Sequence, residues 1–159
     1  MKNLNLILWT LLCVGSVGFG MASATEESHK HDEQVVVSYD TTASIDVHAQ
    51  NTFTTICPDE LPIPGATEIV SQLNAQAKKT KLRVGSKEAH NRNATWVTHH
   101  PSKQLTPIEG ENVDVCWVPH SIVGTTGFNL MEGLPAPTAY DYFVWEGIEL
   151  DMHPYGVLS

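Results

Sequence analysis

Positive charge is scarce in this sequence. Nine Lys and Arg stand against 18 Asp and Glu, a formal net charge of −9. The cations form no stripe, so the chain lacks the electrostatic footprint of a nucleic-acid binder. Cysteine is sparse too, with three in 159 residues. Cys13 lies in an N-terminal apolar segment and has no small residue before it, which argues against a lipoprotein anchor. Cys57 and Cys116 could pair in an oxidising compartment, but two cysteines are no scaffold, and spacing alone does not bring sulfurs together. Also missing is a membrane-length apolar run. Residues 4–19 fall short of the ~20 residues a span needs, and Gly15 and Gly18 interrupt them.

What stands at the N-terminus reads as a secretory signal peptide over residues 1–24. Lys2 supplies the positive start, Leu-Ile-Leu-Trp-Thr-Leu-Leu the apolar core, and Ala22-Ser-Ala24 the cleavage site. Export would leave a secreted or periplasmic protein with no membrane attachment. Residues 25–40 read as a flexible polar leader carrying His29 and His31. Residues 41–159 are one domain's worth at most.

At the end of that leader, Val35-Val-Val37 suggests an edge strand or loop anchor. Ile45 and Val47 alternate with Asp46 and His48, so residues 43–49 are expected to form the first strand of the sheet. Asn51, Pro58, Pro62, Pro64 and Gly65 punctuate the loop that follows. A helix is expected from about Ala66, with Ile69, Val70, Leu73 and Ala77 as its apolar stripe. Residues 82–86 form the second strand, leading into a loop with Glu88 and His90. Strand, helix, strand makes a βαβ unit with a right-handed crossover. Residues 91–111 are irregular and hold His99 and His100. The aromatic, β-branched run Tyr140-Asp-Tyr-Phe-Val-Trp145 is the third strand, with Glu146 at its end.

Parallel strands would bring His48, Glu88, His90 and Glu146 to one rim, the carboxyl edge where open α/β sheets bind ligands. His120 follows the Trp117-Val-Pro turn. Glu88, His90 and His120 are the right types for zinc, iron or manganese. Each also has a plainer reading: His120 as a turn cap, Lys87 and Glu88 as solvated loop charges.

The chain resembles the nicotinamidase branch of the isochorismatase-like cysteine hydrolases. The likeness lies in Ile45-Asp-Val-His-Ala-Gln-Asn-Thr-Phe53, Cys57-Pro-Asp-Glu-Leu-Pro-Ile-Pro-Gly65 and Gly85-Ser-Lys-Glu-Ala-His90. It continues in Trp117-Val-Pro-His120 with Gly124-Thr-Thr-Gly127, and in Phe143-Val-Trp-Glu-Gly147 with Asp151-Met-His-Pro-Tyr-Gly156. The resemblance implies a three-layer α/β sandwich with a mainly parallel six-stranded sheet. It also implies hydrolysis of a small amide such as nicotinamide through an Asp–Lys–Cys triad, beside a metal that positions the pyridine nitrogen.

Residue by residue, that triad is not met. His48 stands at the position of the aspartate, with Asp46 as a candidate substitute two residues earlier. Glu146 stands at that of the lysine, where an anion would raise the cost of forming a thiolate or oxyanion. The nucleophilic cysteine belongs to a second half that the 159 residues do not include, and Cys57 and Cys116 fall at other motif positions. The metal set is better kept in Glu88, His90 and His120, with His99 or His100 as fill-ins for one further histidine. The expectation is a domain truncated to about its first half, its first strand an exposed edge, and without amidase activity. The alternative is a periplasmic metal-binding protein using His90, His120 and Glu88, or a subunit that pairs with a separately encoded second half or dimerises.

Overall fold

The computed structural model describes residues 5–9, 36–153 and 155. Four parallel strands make one sheet: β1 (Asn5–Trp9), β2 (Thr42–Val47), β3 (Leu82–Glu88) and β4 (Tyr142–Glu146), in that spatial order. Between β2 and β3 runs α1 (Ile69–Ala77), entered through a 3-10 turn at Ala66–Glu68. Gly65 takes φ +76° to start that turn, a conformation that costs glycine nothing. The α/β class and the parallel sheet therefore match the sequence reading. Among the described residues the sheet has one α-helix, on one face, and no helix is long and apolar enough to cross a membrane.

The register decides what meets what. Ser44 lies beside Arg83, and Asp46 beside Gly85, which lies beside Phe143. Side chains paired in this way share a face, here the face toward α1. Asp46 is buried there and accepts from Arg83 Nε and from the Tyr140 hydroxyl, both at 2.9 Å. Arg83 Nη1 in turn donates to Asn74 of α1 at 2.9 Å. Gly85 is required: a Cβ there would lie 2.5 Å from the Phe143 ring and 2.9 Å from that of Tyr140.

Several expectations need correction. The first strand, β2, is not a bare edge, because β1 pairs with it in parallel register, Leu8 opposite Ile45. Those five residues lie inside the stretch read as a signal peptide. The cleavage site at Ala24, Cys13 and the His29/His31 tail lie outside the described residues. Val36 and Val37 join no strand. Glu88 is the last residue of β3 rather than part of a loop, and Lys87 and Glu88 are both buried, so neither is a solvated charge. Lys87 sits 3.2 Å above the Phe128 ring, and burial lowers its pKa.

Candidate metal centre

The carboxyl ends of β2, β3 and β4 meet at one rim because the strands are parallel and in register. At the end of β2 the chain breaks out of the sheet at His48, which has φ +49°. Gln50, two residues on, is fully buried and clamps the last residue of β3. Its Oε1 accepts from the Glu88 N–H at 2.8 Å, and its Nε2 donates to the Glu88 carbonyl at 3.0 Å and to the Phe128 carbonyl at 3.2 Å.

With its backbone fixed, the Glu88 side chain is aimed by its neighbours. The Ser121 hydroxyl donates to Oε2 at 2.9 Å, and Oε1 lies 3.7 Å from His48 Nδ1. Oε2 also stands 3.6 Å from His90 Nε2 and 3.8 Å from His120 Nε2. These distances are too long for hydrogen bonds. Burial alone would raise the Glu88 pKa, but His90, His120 and His48 outweigh it and hold the carboxyl at about 2. Glu88 is an anion.

Two of the imidazoles are oriented by the backbone. His90 Nδ1 lies 3.0 Å from the Gly147 carbonyl, and His120 Nδ1 lies 2.7 Å from that of Val118. A carbonyl can only accept, so each Nδ1 carries a proton, which in the neutral ring leaves Nε2 as a lone-pair donor facing Glu88. Carbonyl-tethered imidazoles of this kind are how proteins present histidine to a metal. Burial lowers the His120 pKa against the pull of Glu88, keeping the ring neutral.

A third imidazole completes the cluster, and it is not one of the fill-ins. His99 and His100 are exposed. Instead His153 enters from the segment after β4, and ligand atoms of His90, His120 and His153 lie within 4.8 Å of one another. Burial first, then His120 and His90, lowers its pKa to about 4. Its ring stacks on Trp117 at 5.4 Å, edge-on to Trp96 at 4.5 Å. The sequence offered only the Asp-Met-His-Pro run, without periodicity to place it.

The remaining rim residues divide. His48 and Glu146, at the triad positions implied by the resemblance, meet: His48 Nε2 abuts a Glu146 carboxylate oxygen. Asp46 points to the α1 face and is taken up by Arg83 and Tyr140, away from this group. Cys57 and Cys116 are free thiols. Burial and the Glu60 carboxylate raise the Cys57 pKa, the opposite of what a nucleophile needs.

The cluster's chemistry fits a divalent ion. Buried and unpartnered are His90 Nε2 and both nitrogens of His153. Each orphan costs on the order of 1–3 kcal/mol, and an ion taking one nitrogen per ring removes most of that penalty. Imidazole nitrogens with one carboxylate suit zinc, iron or manganese.

Sequence comparison finds no matching family model and no matching curated protein. Structure comparison does find relatives. A nicotinamidase/pyrazinamidase of Acinetobacter baumanii superposes with a TM-score of 0.54 at 26% identity, over 68% of this chain and 52% of that one. The chain has the isochorismatase-like, nicotinamidase fold. A zinc-bound pyrazinamidase of Pyrococcus horikoshii matches at TM-score 0.53 and 21% identity, over 71% of this chain and 55% of that one. Yeast nicotinamidase bound to nicotinaldehyde matches at 0.57 and 18%, over 71% and 60%. The match thus spans 52–60% of the length of these solved structures.

Proposed function

We propose that this chain descends from nicotinamidase-like amide hydrolases, has kept their metal rim, and lacks thiol hydrolysis of its own. The observation that carries this is the buried group of Glu88, His90, His120 and His153, an anion facing imidazoles whose lone pairs have no other use. Zinc, iron or manganese would bind there, Glu88, His90 and His120 being the ligands named by the sequence. A bound ion supplies a Lewis acid and a fastening point for the segments that bring its ligands. His48 and Glu146 stand where the resemblance would put an aspartate and a lysine, the wrong types for activating a thiol, and burial together with Glu60 raises the Cys57 pKa. The N-terminal leader supports export, so the setting we propose is periplasmic or extracellular. A separately encoded second half, or a second copy of this chain, is the partner that this reading admits.

A second reading, hydrolysis of nicotinamide or a similar small amide, is favoured by the 26% identity to a nicotinamidase/pyrazinamidase. Two assays separate them. Zinc titration of the purified protein should show one tight site that a Glu88→Ala/His90→Ala double variant loses. Ammonia release from nicotinamide should stay at the level of that double variant. Turnover clearly above it would establish the hydrolase reading instead.

A further inference from the structure

We infer that His153 is the fourth ligand of a four-coordinate zinc site, leaving the ion held by Glu88, His90, His120 and His153 with no open position. This rests on the metal reading above and goes beyond it, because it decides what the ion can do. Structural sites surround the ion with protein side chains, whereas catalytic sites keep one position for water or substrate.

The geometry separates fixed ligands from the one that moves. Glu88 is held through its backbone by Gln50 and through its carboxylate by Ser121. His90 and His120 are tethered at Nδ1. His153 has neither constraint: both ring nitrogens are buried without a partner, and the residue is 8% exposed. Its backbone is nonetheless delivered to the spot. The His153 N–H donates to the Asn112 carbonyl at 3.2 Å, and Trp96 Nε1 donates to the Met152 carbonyl at 2.9 Å. An ion about 2.0–2.1 Å from each nitrogen draws ligand atoms closer together than the 4.8 Å spread of the three histidines. His153 can close that gap by turning its ring, because no hydrogen bond has to break.

Filling the open side has two consequences. A substrate nitrogen cannot reach the ion, so the centre holds the fold together rather than binding an amide. And the segment after β4, bridged to the loop before it at Asn112 and Met152, is fastened to the end of β3 through the metal.

Cobalt(II) reports coordination number directly. The full chain should bind one cobalt with the intense visible absorption of a four-coordinate site, unchanged by added nicotinamide or azide. His153→Gly should still bind, but more weakly, with a weak spectrum that nicotinamide or azide shifts. Free imidazole should restore the intense bands, which a misfolded variant could not do. His90→Ala should bind no cobalt. If the wild-type spectrum is weak, or responds to azide as the His153→Gly spectrum does, the site is open and the closure is wrong while metal binding stands. If the wild-type protein takes up no cobalt at all, both readings fall.

Discussion

Gln50 is the residue that sets the rim. Its amide replaces the strand partner that β3 loses where β2 turns away at His48. Gln50→Ala would leave a buried N–H and carbonyl of Glu88 unsatisfied, at about 1–3 kcal/mol for each. A loss of about 3 kcal/mol in urea unfolding is expected, with weaker zinc binding because Glu88 is no longer aimed. Unfolding within a few tenths of wild type would show that the clamp contributes nothing. His153 yields a prediction of opposite character. Its folded pKa is about 4, whereas an unfolded histidine titrates near 6.5. Between those values the unfolded chain holds a proton that the folded chain refuses. The metal-free protein should therefore lose stability as pH falls from about 6.5 to about 4, by on the order of 2 kcal/mol, with no contribution above that window. Urea unfolding of chelator-treated protein across the window measures this, and His153→Asn should reduce the dependence, leaving the part that buried His120 contributes. An unchanged dependence in the variant would assign it to another group.

Glu88, His90 and His120 were legible at this scale because each ends or follows a recognisable strand or turn, and parallel strands put their ends together. His153 was not, since only tertiary contacts with Trp96, Trp117 and Asn112 place it. Asp46 was half legible. Alternation put it on a strand face, but its partner Arg83 comes from the neighbouring strand, and pairing register is invisible in a single segment.

Among the elements, β2, α1, β3 and β4 follow from their patterns: period two in β2, the Ile69, Val70, Leu73, Ala77 stripe in α1, the aromatic run in β4. β1 did not, for a physical reason. A short run such as Asn-Leu-Ile-Leu-Trp is apolar enough for a buried parallel strand and equally for the core of an export signal, and periodicity does not tell them apart. The two roles compete. While β1 is attached, the backbone groups of β2 are paired on both sides. Export with cleavage after Ala24 would remove β1 and leave six residues of β2 as a sheet edge, a template for pairing with another chain. A chain beginning at Thr25 should therefore associate through β2, while the chain from Met1 stays smaller. Light scattering after gel filtration makes the comparison. A Thr25 chain that is monomeric and unfolds at the same urea concentration would show that β1 is dispensable.

For the whole molecule, the metal rim and the sheet are one problem in stability. The sheet has one α-helix on one face among its described residues, and small domains bury a low fraction of their surface. The connection from β3 to β4 is irregular, built from turns and isolated bridges such as Val97 with Trp117 and Pro107 with Val115. Its backbone hydrogen bonds are those of turns and loop pairings, such as Thr98 N–H to the Trp117 carbonyl and Leu105 N–H to that of Cys116, rather than of a helix or strand ladder. A divalent ion bound by Glu88, His90 and His120 would join the end of β3 to the middle of that connection, and His153 would add the segment beyond β4. Ligand that binds only the folded state stabilises by about 2.7 kcal/mol at a hundred times its Kd. In a domain of this size that corresponds to roughly 10 °C in Tm. Chelation with EDTA should lower the melting temperature by about that amount, and zinc should restore it. The Glu88→Ala/His90→Ala double variant should melt at one temperature with or without zinc. If wild type also ignores both chelator and zinc, the histidine cluster is packing alone, and the connection is held by Trp96 and Trp117.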